Sequence, residues 1–187
     1  AHKREIYKIL PRAAEIDAMH RELGSKLTKG MLTGRQAPQT AQLVVMGGNN
    51  EALKTQLRRE FAGDRVTVLD FTDRVSDYMD AADVLFTKPG GLTTTEAAVK
   101  TIALVHTAPI PGVETANVEF FRKNGLAVTG DTLEELMHNA MPLLESEQTR
   151  AEMRARQSAV IHRRTDLEIC DYIEMDYVRV HGHAPTP

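Results

Sequence analysis

The sequence predicts an α/β protein built as a doubly wound parallel sheet with helices on both faces. Three features point there. Strand-sized apolar runs recur at 43–46, 66–69, 83–86 and 102–105. Stretches with helical spacing of their apolar residues separate them, so successive strands are joined by crossovers and run parallel. Glycine or proline turns follow the first run directly, at Gly47-Gly48, and the third after two residues, at Pro89-Gly90-Gly91.

Taken in order, residues 11–29 repeat Ala13, Ile16, Met19, Leu23 and Leu27 at three- and four-residue intervals, one helical face, with Pro11 suited to a first turn. Gly34 and Pro38 interrupt this pattern before Leu43-Val44-Val45-Met46, an uninterrupted apolar run that reads as a buried strand. A helix over 52–61, a strand over 66–69, a helix over 75–82 and a strand over 83–86 come next. Beyond the Pro-Gly-Gly turn, a helix over 93–100 leads to a strand over 102–105. Then come a proline-rich loop, a helix over 116–123 and a short last strand over 126–128. Thr132-x-x-Glu135 has the form of a capping box ahead of a helix carrying Leu133, Leu136, Met137, Ala140 and Leu144. Two further helices close a single domain over 1–178, and 179–187 read as an irregular tail.

At 187 residues and 42% hydrophobic content, the chain buries one sizeable core. Its 23 basic and 26 acidic residues leave a net charge of -3, which argues against nucleic acid as a partner. The one cysteine, Cys170, excludes an internal disulfide and a cysteine metal cluster; it fits a cytoplasmic setting and is expected as a small packed apolar group. No apolar run approaches the roughly 20 residues needed to span a bilayer. Membrane contact, if any, is therefore expected to be peripheral. The seven histidines show no metal-binding spacing apart from His181-Gly182-His183 in the tail, so no metal is expected.

In open α/β sheets, ligands sit beyond the carboxyl ends of the strands. The segment Thr87-Lys88-Pro89-Gly90-Gly91-Leu92-Thr93-Thr94-Thr95-Glu96 runs from a strand end through a tight turn into a helix. Glycines there admit an anion close to the backbone, and amides near Leu92 to Thr94 point at it along the helix dipole. Thr93-x-x-Glu96 is equally a capping box, in which Glu96 satisfies only a backbone amide. Lys88 reads either as a phosphate ligand or as a solvated lysine. A second segment, Pro109-Ile110-Pro111-Gly112-Val113-Glu114-Thr115-Ala116-Asn117, presents a carboxylate and a carboxamide one turn apart. Such a pair suits sugar hydroxyls, while Glu114 also suits a first helical turn. His106, between these segments, reads as an ordinary strand-end residue.

Together, Lys88-Pro89-Gly90-Gly91-Leu92-Thr93 with Glu96, and Pro109-x-Pro111-Gly112-x-Glu114-x-x-Asn117-x-x-Phe120-Phe121, resemble the monogalactosyldiacylglycerol synthase and processive diacylglycerol glucosyltransferase family. That family is related to the transferase that adds N-acetylglucosamine to the lipid-linked cell-wall precursor. The similarity runs from about Leu43 to Leu144. It implies the C-terminal, Rossmann-like half of a GT-B fold and a UDP-sugar donor used without a further cofactor. Gly90, Gly91, Leu92 and Thr93 would hold the diphosphate, Glu96 the ribose, Phe71 the uracil, and Glu114 with Asn117 the sugar. Gly47, Gly48, Asn49 and Lys88 would line the cleft. The lipid acceptor and the catalytic base would belong to an N-terminal half, and the full-length protein would sit peripherally at a membrane. By the resemblance this half alone would bind UDP weakly and transfer nothing.

Two departures stand out. Val113 occupies the position where the family carries Gln in its Pro-Gly-Gln-Glu loop. The first strand and glycine-rich loop of such a half should precede the helix at Pro11, so a sheet lacking its first strand is expected. A UDP-sugar 2-epimerase of similar architecture and a noncatalytic nucleotide-sugar-binding module are the alternative readings.

Overall fold

The computed structural model describes residues 42–47, 49–61, 65–162 and 164–182. The helix expected over 11–29, Gly48 and residues 183–187 lie outside the described residues. The described elements run β1 (Leu43–Met46), α1 (Glu51–Glu60), β2 (Val66–Leu69), α2 (Val75–Ala81), β3 (Val84–Thr87), α3 (Gly91–Val99), β4 (Ala103–His106), α4 (Thr115–Lys123), α5 (Leu133–Glu145), α6 (Glu147–Val160) and α7 (Thr165–His181). Strand and helix alternate as the apolar periodicity predicts.

β1 pairs in parallel with β2, and β3 with β4. The strand expected over 126–128 is reduced to one parallel bridge, Val105 to Val128. His106 donates its amide to the Val128 carbonyl at 2.8 Å, and Val128 donates to that of Leu104 at 3.0 Å. Pairing stops there because the chain must turn at Gly130, where a Cβ would stand 2.3 Å from the backbone nitrogen of Leu136. Only a glycine admits the α5 backbone so closely.

Among the described residues no ladder joins β1 to β3, so the parallel strands form two pairs rather than one sheet. The doubly wound order 3-2-1-4-5-6 places the first strand between the second and the fourth. The described residues show the two pairs, β1-β2 and β3-β4 with its bridge to Val128. The run 43–46 was expected to be buried, yet Val44 and Met46 are exposed. Its residues alternate between half-buried and exposed, as a pleated strand does when one face is better covered than the other, and α1 packs against its neighbour β2.

The β3-β4 half carries the core, and its strands divide residue by residue between two faces, as a pleated backbone requires. Leu85 and Leu104 pack with Met79, Ala97, Ala98, Phe121 and Leu126. Val84, Phe86, Ala103 and Val105 pack with Leu136, Ala140, Leu143 and Met153. Helices α2, α3 and α4 therefore cover one face and α5 and α6 the other. Thr132 accepts from the Glu135 amide at 3.1 Å, the capping bond expected from the sequence, and the Glu135 carboxylate returns to the Asp131 amide at 2.9 Å.

Helix α7 departs from expectation twice. It contributes no buried residue, so Cys170 is exposed rather than packed. It also continues through His181 into the segment expected to be irregular, ending on Gly182 in the left-handed conformation that glycine accepts readily.

Gln157 on α6 joins the core to the sheet. Fully buried, it donates through Nε2 to the carbonyls of Ile102 at 2.8 Å and Leu126 at 3.0 Å, the residues that lead into β4 and toward Val128. Gln157→Leu strands two buried carbonyls, and each such loss costs about 1–3 kcal/mol. Urea unfolding of this variant should show a stability loss of about 2–4 kcal/mol; a loss under about 0.5 kcal/mol would mean water replaces the amide.

Candidate functional site

The carboxyl end of β3 leads through Lys88, Pro89 and Gly90 into α3 with no intervening loop. Gly90 is the N-cap and uses no side chain. Its amide donates to the Lys88 carbonyl at 2.8 Å, and Thr94 donates to the Gly90 carbonyl at 3.1 Å. The amides of Gly91, Leu92 and Thr93 form the first turn, where a helix has no acceptor to offer them. All three residues are exposed. An anion placed there meets three donors and the positive end of the helix dipole.

Glycine is not demanded here by backbone strain or crowding. Gly90 has φ -71°, and a Cβ there would stand 3.5 Å from Glu114 Oε1. At Gly91 the nearest atom to a Cβ would be 4.0 Å away. The space over the turn is open, unlike that at Gly47, where a Cβ would press to 2.5 Å from Lys54 Cγ.

The helix start also decides between two readings of Glu96. A capping box would place Thr93 at the N-cap, but the helix begins at Gly91 and Thr93 lies inside its first turn. Glu96 is therefore free of any capping duty and exposed on α3.

The proline loop is fastened to this turn at two points. Glu114, only 4% exposed, receives Lys88 Nζ on Oε1 at 2.9 Å and the Ile110 amide on Oε2 at 2.8 Å. Asn117 Nδ2 donates to the Pro89 carbonyl at 2.9 Å. Gly112, at φ 76°, provides the left-handed turn that folds the loop back, and Ile110 accepts from Val113 and Glu114. Lys88, Gly90, Gly91, Glu114 and Asn117 thus form one cluster. No motif spacing signalled the Lys88–Glu114 pair; its members meet because β3 and β4 are adjacent and parallel. Val113, where the resembled pattern has Gln, holds an apolar side chain largely in solvent.

Beneath the loop lies His106, 1% exposed, its ring 5.2 Å from that of Phe121. Its Nε2 has no partner among the described residues. Burial pushes the imidazole down to about 4, against the opposing pull of the Glu114 carboxylate. It is a neutral strand-end residue at physiological pH.

Gly47, Asn49 and Phe71 sit at the carboxyl ends of β1 and β2. Asn50 caps α1 by accepting from Leu53 at 3.1 Å. Asp70, just beyond β2, accepts from Lys54 at 3.2 Å and Arg58 at 2.9 Å, and these bonds, that from Arg58 foremost, hold its carboxyl below the ordinary range. Phe71 comes next, 79% exposed. Among the described residues no hydrogen bond or ion pair links this group to the Lys88 cluster. Nor do the described residues include a cluster of three or more His, Cys, Asp or Glu able to hold a metal, or a helix long and apolar enough to cross a membrane.

Parallel strands delivering a glycine turn and a helix N-terminus at their carboxyl ends, with helices on both faces, define a Rossmann-like α/β domain. No protein-family model matches the chain. Among curated proteins, it is 36% identical over 110 residues to a processive diacylglycerol beta-glucosyltransferase of Bacillus subtilis, covering 58% of this chain and 29% of that protein. The protein of the same name from Staphylococcus carnosus is 33% identical over 119 residues, covering 63% and 30%. That from Bacillus licheniformis is 29% identical over 140 residues, covering 73% and 37%. The chain is thus similar to processive diacylglycerol beta-glucosyltransferases, which are glycosyltransferases, and spans about a third of their length.

His106 makes a sign prediction. Its folded value lies below the 6.5 of an unperturbed imidazole, so its contribution to stability is intact above pH 6.5 and is lost as pH falls toward 4. That loss amounts to at most about 3 kcal/mol. Denaturant unfolding of the chain and of His106→Gln at pH 7 and 4.5 should show the wild type losing more stability than the variant; equal losses would place the acid sensitivity elsewhere.

Proposed function

We propose that this chain is the donor-binding region of a glycosyltransferase that moves a hexose from a UDP-sugar to a lipid hydroxyl such as that of diacylglycerol. The observation that carries this reading is the open turn at Gly90 and Gly91, with three first-turn amides of α3 facing solvent beside the Lys88 ammonium. The relatives' name, which specifies glucosyl transfer to diacylglycerol, supplies the acceptor class.

In this reading the diphosphate lies over Gly90 and Gly91 and accepts from the amides of Gly91, Leu92 and Thr93. Negative charge grows on the leaving UDP as the glycosidic bond to phosphate breaks. Amides already fixed by the helix stabilise that charge without reorganising, which is electrostatic catalysis by oriented dipoles. Glu96, one to two turns further along α3 and without capping duty, accepts from the ribose hydroxyls. Phe71, exposed beyond β2, packs against the uracil, with Gly47 and Asn49 along the cleft. The transfer inverts the anomeric centre without a metal, and acceptor deprotonation falls to a base outside this region. Association with the membrane surface is peripheral and serves to reach the lipid.

Calorimetric titration with UDP tests the assignment. A saturable heat is expected, and Glu96→Gln, which removes the carboxylate, should weaken UDP by about tenfold with an unchanged melting temperature. Unchanged affinity would remove Glu96 from the ribose site, and no saturable binding by the wild type would favour a module that has lost the donor.

A further inference from the structure

We propose that Glu114 is the resident counter-anion of Lys88: it holds the ammonium over the turn while the site is empty and yields it to the donor's diphosphate on binding. This rests on the UDP-sugar reading and changes the part Glu114 plays in it. Glu114 becomes a positioning residue that sets donor affinity through Lys88, rather than a contact to the sugar.

The geometry is asymmetric in the way an exchange requires. The Glu114 carboxylate is fixed, since one oxygen accepts from the Ile110 amide at 2.8 Å and the side chain is 5% exposed. Lys88 is the solvent-accessible partner, with a side chain 48% exposed and Nζ held at 2.9 Å on the other oxygen. Both carboxylate oxygens are thus engaged within the protein, leaving little of Glu114 to meet a sugar hydroxyl. The ammonium stands 3.8 Å from the position a Cβ would take on Gly90, the N-cap of α3. A phosphate at those amides is a second anion within reach of the same lysine, and a lysine on a flexible stem serves as a movable point charge.

Asn117, donating to Pro89, keeps the loop against the turn whichever anion Lys88 faces.

The test is calorimetric titration of the 187-residue chain with UDP and UDP-glucose, using wild type, Glu114→Gln, Lys88→Met and the double variant, each checked for fold by circular dichroism and melting temperature. Gln retains an acceptor for the Ile110 amide while removing the competing charge. Glu114→Gln should therefore tighten both ligands by about threefold or more, and Lys88→Met should weaken both. In the Lys88→Met background the Glu114→Gln gain should shrink severalfold, because the lysine is no longer there to be released. Three results would overturn the proposal: weaker UDP-glucose with unchanged UDP, which makes Glu114 a sugar contact; weaker or unchanged binding of both ligands; or an undiminished gain without Lys88. If the wild type binds neither ligand, the donor reading itself fails and this proposal with it.

Discussion

The site depends on the fastening of two loops to each other. β3 and β4 end side by side, and each strand runs on into a short, stiff segment rich in proline and glycine. Left separate, these would be two loops with independent motions. The Lys88–Glu114 ion pair and the Asn117–Pro89 hydrogen bond join them, tying the start of α3 to the proline loop. Most of the pair's value is positional, because an ion pair with a half-exposed partner contributes only about 0–1 kcal/mol of net stability. The buried end of Glu114 has its second oxygen satisfied by a backbone amide, which meets the requirement that a buried charge be paired and hydrogen-bonded.

Everything below that pair serves to hold it. Leu85 and Leu104 face one layer of helices, Val84, Phe86, Ala103 and Val105 the other, and this alternation sets the height at which Lys88 and His106 emerge. Gln157 braces the approaches to β4 and Val128 from α6. The β1-β2 half is built more lightly, with one helix and an exposed strand face. No ladder joins it to the β3-β4 half among the described residues, and Gly47 and Phe71 make no bond to the Lys88 cluster there.

Much of this was legible in the sequence because the responsible forces are local. Strand and helix alternation followed from apolar periodicity, and the Thr132 cap from its hydroxyl and spacing. The placement of the Pro-Gly-Gly turn at a strand end followed from the run before it. Where the sequence misled, the cause was tertiary. Leu43 to Met46 is apolar throughout, yet covering a strand takes two neighbours and two faces, which periodicity does not count. Cys170 has the chemistry of a packed residue but lies on a helix that reaches no core. Thr93 to Glu96 fits a capping box, and only the actual helix start at Gly91 shows that it is not one. The Lys88–Glu114 pair spans 26 residues and is visible only once β3 and β4 are known to be neighbours.

The central claim is that the first turn of α3 is the anion site of a UDP-binding domain. Two-dimensional amide NMR during UDP titration tests it most directly, since it reads the backbone donors themselves. The largest shift changes should fall on Gly91, Leu92 and Thr93, with smaller ones at Glu114 and Asn117 and little change in α5 and α6. Saturable binding with those three amides unmoved, and changes concentrated in α5 or α6 instead, would contradict it.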